Sequence, residues 1–391
     1  MSKLLDALPI DKPLIIGIIG GGQLGKMITQ EAKRMALGVV ILDPNKECPA
    51  SSVCDKLIIA DFKDEQKIYE LSKEVDFLTY EIELANSTSL KKLQDQRFPV
   101  CPTPDILRII QNKYRQKTFL KKIGLPVPEF IKIETIEQLN SQITQFGLPS
   151  ILKSSEDSYD GRGNYIITSK EQIREAFSYF SNKEIYLEKY VHFTKELSIM
   201  VARNQNCQIS SFPIAENIHN ESILHTTLVP ARINKDIEKR IMNIIQTLMT
   251  NIDSPGIFGI EMFLTLENQI LINEIAPRPH NSGHYTIEGC SISQFEQHIR
   301  SVINLPLIKP ELYKPTVMIN ILGPKKLTNS HYKLTGLSEC LGIQGVKIHI
   351  YGKKTTKPNR KLGHITATGL NLEEALKRAI KAKNSINILS I

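Results

Sequence analysis

The stretch from Gly256 to His284, GIFGIEMFLTLENQILINEIAPRPHNSGH, decides the fold. It contains two apolar segments with alternating residues, which predict two antiparallel strands joined by a tight turn. If Glu267 and Asn268 form a two-residue turn, the register pairs Glu261 with Glu274 across the hairpin. Opposed carboxylates repel each other at a Cβ separation of roughly 5 Å, unless a cation lies between them. The hairpin therefore suggests a Mg²⁺ site. Two solvated carboxylates on an exposed sheet face, or a different register, are the open alternatives.

The composition is that of a globular protein with more than one domain. The chain has 391 residues, of which 41% are hydrophobic and 23% are charged, and this length predicts two to three domains. The formal net charge is +8, but the basic residues are mostly scattered among acidic ones. A nucleic-acid-binding surface would more often show a basic stripe with exposed aromatic residues. We therefore expect pockets for phosphorylated or carboxylated small molecules and no nucleic-acid partner.

The cysteines and the N-terminal sequence predict a reducing compartment. The six cysteines show neither C-x-x-C spacing nor a histidine partner pattern, so we expect reduced thiols. The first residues contain no apolar run of signal-peptide length, and no segment is long enough to span a membrane. We therefore expect a cytoplasmic protein without a membrane partner.

The N-terminal part of the sequence predicts a doubly wound α/β domain. An apolar strand at 14–19 leads into Gly20–Gly25, which matches G-x-G-x-x-G, and a helix follows to about residue 35. The next strand ends at Asp43, close to the spacing of a nicotinamide-binding site. Glycine-rich turns bind many phosphates, however, and Asp43-Pro44 can equally form a turn. The strand at 77–80 is followed by Glu81 and Glu83, which lie at the ligand edge of the sheet or cap the next helix.

The middle of the sequence predicts a smaller α/β unit with a phosphate-binding loop. A helix at 106–123 carries several lysines, for which a solvated face is the simplest explanation. Strands at 149–153 and 165–168 flank a loop with Gly161-Arg162-Gly163 at its tip. Such a loop can close over a polyphosphate through backbone N–H groups and Arg162, while Lys153 at its base contacts a phosphate. A plain glycine hairpin is the alternative.

The order of these segments resembles the ATP-grasp superfamily, in which ATP is held between two α+β units. The matching blocks are GIIGGGQLGKM, LDP, YEIE, YDGRGN, LEKYV with Glu196, NEIAPRPHNSGH and the terminal YGK…NRKLGH. Together they resemble the 5-(carboxyamino)imidazole ribonucleotide synthase family from about residue 14 to residue 366. The implied fold is α/β and α+β. It has a Rossmann-like doubly wound domain at 1–105, a small central α+β lid at 106–190, and a C-terminal α+β subdomain at 191–391 that ends in a small β unit from about 315.

This resemblance implies a carboxylation in purine biosynthesis that depends on ATP and bicarbonate. Bicarbonate attacks the γ-phosphate to give carboxyphosphate and ADP, and the carboxyl group passes to the exocyclic amine of 5-aminoimidazole ribonucleotide. Such a reaction depends on positioning, charge neutralisation and exclusion of water, and it needs no covalent nucleophile. The implied cofactors are ATP and Mg²⁺, with Mn²⁺ as a substitute. The implied partners are a second copy of the chain and a separate mutase that takes the product.

The family's functional residues carry over to the matching positions of this sequence. Glu261 and Glu274 would hold Mg²⁺, and the catalytic residues would be Arg278, Asp160 and His280. The residues implied for ATP binding are Lys113, Lys153, Tyr159, Asp160, Gly161, Arg162, Gly163, Glu188, Lys189, Tyr190, Val191, Glu196, His219, Asn273 and Glu274. Those implied for the ribonucleotide are Gly22, Gln23, Leu24, Glu81, Asn281, Ser282, Lys353, Arg360 and Lys361.

Three other functions compete with this one. An ATP-grasp ligase with a glycinamide or biotin acceptor is the nearest, although the YDGRGN loop and the Lys353/Arg360 block favour the imidazole nucleotide. A nicotinamide-dependent oxidoreductase fits GGGQLG and Asp43, but it leaves the paired glutamates unexplained. A nucleotide sensor without catalysis would share the fold. A charged surface loop is the alternative for Lys353, Arg360 and Lys361.

Overall fold

The N-terminal part of the chain forms a parallel sheet with helices on both faces. The computed structural model describes residues 5–6, 10–156 and 163–391. The sheet has the order β3-β2-β1-β4, and its direction of growth reverses beside β1. In a doubly wound domain the ligand edge lies at such a point, which here is the carboxyl ends of β1 and β4. The elements are β1 Ile15–Ile19, α1 Gln23–Arg34, β2 Gly38–Asp43, β3 Lys56–Ile59, α2 Glu65–Ser72, β4 Phe77–Tyr80 and α3 Ser87–Asp95.

Two helices then lead into a small antiparallel sheet that forms the lid. Its strand order is β5-β8-β6-β7, and apolar side chains of its two helices cover one face. The elements are α4 Pro104–Gln111, α5 Lys113–Lys122, β5 Phe130–Ile133, α6 Ile136–Phe146, β6 Ser150–Ser154, β7 Asn164–Ile167, α7 Ile173–Tyr179 and β8 Ile185–Lys189.

The rest of the chain is built on one large antiparallel sheet. Its order is β14-β13-β9-β11-β12-β15-β19-β17, with β10 paired to β9. The elements up to the predicted hairpin are β9 Phe193–Arg203, β10 Ile209–Ser211, β11 Ala215–Asn220, β12 Ile223–Val229, α8 Lys235–Asn251, β13 Gly256–Thr265 and β14 Ile270–Ala276. Those that follow are α9 Thr286–Gly289, α10 Gln294–Val302, β15 Thr316–Leu322, β16 Ser330–Thr335, α11 Leu337–Leu341, β17 Val346–Ile350, β18 Thr355–Thr356, β19 Lys361–Thr368, α12 Leu372–Ser385 and β20 Asn387–Ser390.

Helices fix this sheet against its neighbours through apolar packing. The buried side chains of α8 pack on β13 and β14, and those of α12 pack on β15 and β19. The apolar face of α10 lies in the same cluster as α1, so the N-terminal domain and the large sheet share a core. Within the described part of the chain, none of the helices has the length and apolar character needed to cross a membrane.

The hairpin of β13 and β14 reaches the predicted pairing by a different route. Leu264 pairs with Ile270, which makes the connection longer than the predicted two-residue turn at 267–268. The loop closes where the backbone N–H of Thr265 donates to the carbonyl of Gln269 at 2.9 Å. Asn268 adopts a left-handed φ of 60°, which is typical of three-residue hairpin loops. The predicted turn is therefore wrong.

A bulge at Asn273 restores the pairing of the two glutamates. Met262 pairs with Ile272, and the next pair is Glu261 with Glu274, so Asn273 is an extra residue on β14. A bulge of this kind lets two successive residues oppose one residue of the partner strand. The predicted opposition of Glu261 and Glu274 is thus correct, although the register that was used to derive it is not.

The predicted helix at 106–123 is two helices. Asn112 is extended, with φ −114° and ψ 111°, and its side chain accepts a hydrogen bond of 2.9 Å from the backbone N–H of Arg115. This residue therefore ends α4 and caps the N-terminus of α5. The break gives α5 its own direction, and its lysines are not all on a solvated face. Lys117 is 2% exposed, which corrects that expectation.

Candidate active site

Two opposed carboxylates form the centre of the site. Glu274 Oε2 accepts a hydrogen bond of 2.8 Å from Lys113 Nζ, whose helix α5 packs against β14. Burial acts to raise the pKa of Glu274, but the ammonium of Lys113 lowers it overall. Glu261 is different, because burial and the charge of Glu274 together raise its pKa to about 7. Glu261 is therefore the carboxylate with the least compensated charge.

The donors of this pair fit a hard divalent cation. Across the described residues there is no group of three or more His, Cys, Asp or Glu that could hold a metal ion. The protein would thus supply the two carboxylates of Glu261 and Glu274. This number suits Mg²⁺, which is commonly bound through one or two carboxylates together with substrate phosphates and water. Burial and the neighbouring carboxylate of Glu274 raise the pKa of Glu261, and a bound cation would relieve that repulsion.

A buried carboxylate and two lysines lie next to this pair. Glu188 Oε1 pairs with Lys153 Nζ, and Glu188 Oε2 lies 2.9 Å from Lys117 Nζ. Burial acts to raise the pKa of Glu188, but the two ammonium groups lower it to about 2. Lys117 was not predicted as a site residue from the sequence. The signal was present, since Lys113 and Lys117 are four residues apart and share one face of α5.

The predicted adenine hinge lies at the end of β8. The side chain of Glu188 points into the protein and is 1% exposed, so the strand can offer only backbone groups to a ligand there. Lys189, Tyr190 and Val191 follow at the surface, and Lys189 Nζ pairs with Glu129 Oε1 at 2.7 Å.

Glu196 and His219 form a pair beside the central carboxylates. The imidazole Nδ1 of His219 contacts Glu196 Oε2, and this hydrogen bond raises the pKa of His219 although burial acts to lower it. The two residues line one small depression together with Glu261, Phe263 and Asn273. The bulge thus places Asn273 in this depression, next to Glu261.

The segment after β14 brings Arg278 and His280 to the same place. Arg278 Nη2 lies 2.8 Å from Glu83 Oε1, which ties this segment to the N-terminal domain. His280 Nε2 lies 3.7 Å from Glu261 Oε1, and His280 Nδ1 lies 2.9 Å from Ser282 Oγ. Burial and the charge of Arg278 lower the pKa of His280 well below its usual value, so this imidazole is neutral.

The side chain of Asn281 is tied to the large sheet. Its side-chain amide exchanges two hydrogen bonds with that of Asn320 on β15, at 3.0 and 2.7 Å. Both amides are buried. Asn281 would therefore contribute to ligand binding by fixing the segment after β14 as much as through its own side chain.

The glycine-rich turn is capped by the chain's own carboxylates. Glu81 accepts hydrogen bonds from the backbone N–H groups of Gly22 and Gly25, at 2.7 and 3.1 Å. Asp43 accepts one from Gly21 at 2.8 Å. A dinucleotide would need these donors for its pyrophosphate, which argues against the nicotinamide alternative. Burial raises the pKa of Glu81 to about 7, against the two backbone hydrogen bonds that act to lower it.

The remaining predicted residues lie in the terminal β unit and in the loop after β6. Lys361 begins β19, and its charge acts on Glu261 and His280, so the terminal unit reaches the site. Arg360 Nη1 donates to Thr355 at 3.0 Å, and the ammonium of Lys353 lies over the ring of Tyr351. Gly163, with φ 80°, ends the loop. Four loop residues lie outside the described residues: Tyr159, Asp160, Gly161 and Arg162.

Three family models match successive parts of the chain. They describe a ribonucleotide synthetase preATP-grasp domain at 14–111, an ATP-grasp domain at 118–295, and a phosphoribosylaminoimidazole carboxylase C-terminal domain at 316–378. This order of domains confirms the fold class that the sequence predicts.

Relatives of known function match nearly the whole chain. The N5-carboxyaminoimidazole ribonucleotide synthase of Bacillus subtilis is 39% identical over 353 residues, which are 90% of this chain and 90% of that protein. The phosphoribosylaminoimidazole carboxylase of Candida glabrata is 37% identical over 93% of this chain, which spans only 65% of that longer protein.

Solved structures agree with these matches. The N5-carboxyaminoimidazole ribonucleotide synthetase from Thermotoga maritima has a TM-score of 0.89 and 44% identity, covering 97% of this chain and 100% of that chain. The synthase from Aspergillus clavatus, in complex with ADP and 5-aminoimidazole ribonucleotide, has a TM-score of 0.86 and 32% identity, covering 95% and 98%.

Proposed function

The chain belongs to the N5-carboxyaminoimidazole ribonucleotide synthase family, and on this basis we propose how its residues divide the work of the reaction. The reaction is the ATP-dependent carboxylation of 5-aminoimidazole ribonucleotide in purine biosynthesis. One observation carries the assignment of the site. Glu261 and Glu274 face each other where helix α5, the large sheet and the N-terminal domain meet. Lys113 and His280 lie beside them.

ATP would lie between the lid sheet and the hairpin of β13 and β14. Lys113 and Lys153 would contact its phosphates, and the backbone of residues 188–191 would contact the adenine. Glu196, with His219, would bind the ribose hydroxyls. Glu261 and Glu274 would hold Mg²⁺ or Mn²⁺, with Asn273 next to them. When bound, the cation would neutralise charge on the phosphates.

Arg278 and His280 would bind the group that is transferred. We propose bicarbonate as the source of the carboxyl group, with carboxyphosphate as the intermediate. The guanidinium of Arg278 would hold either anion by charge-assisted hydrogen bonds. The neutral His280 adds no charge and can orient a substrate oxygen through Nε2. Carboxyphosphate hydrolyses readily, so closure of the loop at 157–163 would be needed to exclude water.

The ribonucleotide would lie between the N-terminal domain and the terminal β unit. Gly22, Gln23, Leu24 and Glu81 would contact it from the glycine-rich turn. The positive side chains of Lys353, Arg360 and Lys361 would bind its phosphate. Asn281 and Ser282 would form the base of this pocket, and Asp160 would approach from the loop.

The organisation of the protein follows the same proposal. We assign residues 1–105 to the N-terminal domain, 106–190 to the lid and 191–391 to the C-terminal subdomain, with the terminal β unit from about 315. We also propose that the protein is a cytoplasmic homodimer and that its product passes to a separate mutase. The six free thiols, four of them buried, support a reducing compartment.

A measurement of ADP release tests the function directly. We expect ADP formation to require Mg²⁺. We also expect 5-aminoimidazole ribonucleotide to stimulate it roughly a hundredfold, because binding of the acceptor contributes binding energy to the transition state of productive turnover. Carbon label supplied as bicarbonate should appear in the carboxyl group of the ribonucleotide product. Equal rates of ADP release with and without the ribonucleotide would exclude it as the acceptor.

A further inference from the structure

One buried carboxylate, Glu188, is shared by two lysines from different elements. Lys153 reaches it from β6 and Lys117 from α5, each at a different carboxylate oxygen. The side chains of Glu188, Lys153 and Lys117 are 1%, 11% and 3% exposed. These three side chains thus carry one positive charge in excess, and the charge of Lys153 also acts on the carboxylate of Glu274.

The two ammonium groups are not equivalent. Lys117 is the more enclosed, and its Nζ also lies 3.4 Å from the carbonyl oxygen of Ile272 on β14. Lys153 lies in the last part of β6, directly before the loop at 157–163, and is the more exposed of the two. A phosphate that enters between lid and hairpin can therefore reach Lys153 but not Lys117.

The position of Lys117 is fixed by contacts of its helix. The side-chain amide of Gln116 exchanges two hydrogen bonds with the backbone of Ile275, at 3.1 and 2.9 Å. These contacts join α5 to β14 without the help of Lys153, so Lys117 stays at Glu188 when Lys153 moves.

We propose that Lys117 is a positioning residue that neutralises Glu188 and thereby allows Lys153 to turn to a nucleotide phosphate. This inference rests on the proposed assignment of Lys153 to the phosphates of ATP. Without Lys117, the carboxylate of Glu188 has Lys153 as its one remaining lysine partner in the cluster. The phosphate then competes with a buried carboxylate for the same ammonium, and nucleotide affinity falls.

The test compares ADP with adenosine as ligands of Lys117→Met, by calorimetric titration. We expect ADP to bind roughly tenfold more weakly than to the wild type, because Lys153 is retained by Glu188. Adenosine has no phosphate and should bind with less than about a twofold change. Equal losses for both ligands would show that Lys117 only supports the shape of the site. That result, or no loss for either ligand, overturns the inference.

A double variant separates the positioning role from a structural one. In Lys117→Met/Glu188→Gln the competing carboxylate is removed together with the ammonium. We expect its ADP affinity to return to within about threefold of the wild type, as a double-mutant cycle measures. A loss of ADP affinity as large as in Lys117→Met overturns the inference. If Lys117→Met does not fold, a loss of ADP affinity of roughly tenfold in the double variant, measured against the wild type, overturns the inference.

Lys122→Met is the matched control. Lys122 lies on the same helix and is exposed, so the variant loses the same charge without touching Glu188. It should bind both ligands as the wild type does. Wild-type protein that fails to bind ADP would contradict the proposed function. If the wild type binds ADP and Lys117→Met binds it with equal affinity, only the proposed role of Lys117 is contradicted.

Discussion

Three carboxylates of the site differ in how far neighbouring positive side chains compensate their charge. This difference supports the roles proposed for them. Glu188 is paired with two lysines and has a pKa of about 2. Glu274 is paired with Lys113, which lowers its pKa. At Glu261 the charges of His219 and Lys361 act to lower the pKa, but burial and the charge of Glu274 raise it to about 7. A cation gains most at the least compensated carboxylate, which supports the proposal that Glu261 and Glu274 together bind the metal ion.

A fourth carboxylate, Glu81, makes a prediction about pH and stability. Its pKa is about 7 in the folded protein against an ordinary value of 4.5. Its contribution to stability is therefore full below pH 4.5 and is lost as the pH rises towards 7. Relative to Glu81→Gln, the wild type should lose about 3 kcal/mol of unfolding free energy over this interval. Denaturant unfolding of both proteins between pH 4.5 and 8 measures it, and a constant difference would refute the raised pKa.

At the scale of elements, the sequence predicted the strands and missed the irregularities. The β-α-β start and the β13–β14 hairpin follow from apolar periodicity, because core packing imposes it. The bulge at Asn273 does not follow from periodicity, although one sign of it was present. Ile272 and Ile275 are both buried, with two polar residues between them where alternation allows one. The break at Asn112 and the burial of Lys117 depend on the docking of α5 against β14, a tertiary contact.

The docking of α5 on β14 can be tested through Gln116. This residue is 2% exposed, and its amide satisfies both the N–H and the C=O of Ile275. Gln116→Met keeps the length of the side chain but leaves both backbone groups without this partner. We expect a loss of about 3 kcal/mol in unfolding free energy, measured by denaturant titration. Gln145→Met, an exposed position on α6, is the control and should change little. Equal stability of Gln116→Met and wild type would mean that other contacts fix α5.

At the scale of the whole molecule, the site exists only where separate units meet. Glu83 of the N-terminal domain holds Arg278, α5 carries Lys113 and Lys117, and the large sheet supplies the paired glutamates. Among the described residues, no one of these three units contributes all of these side chains. The sequence resemblance assigned Arg278, Lys113 and the paired glutamates from their motifs, but it did not assign Lys117. The ion pairs between units could not be derived from spacing. The loop at 157–162, which the resemblance places over the phosphates, remains a prediction.

The most direct test of this account is the turnover of Glu274→Gln. ADP formation is measured with saturating ATP, Mg²⁺, bicarbonate and 5-aminoimidazole ribonucleotide. Loss of one platform carboxylate should lower kcat roughly a hundredfold or more, while the melting temperature stays close to that of the wild type. Glu267→Gln, an exposed position in the loop of the same hairpin, should retain full turnover. A Glu274→Gln protein that turns over at a near-normal rate would contradict the assignment of the paired glutamates as the centre of the site.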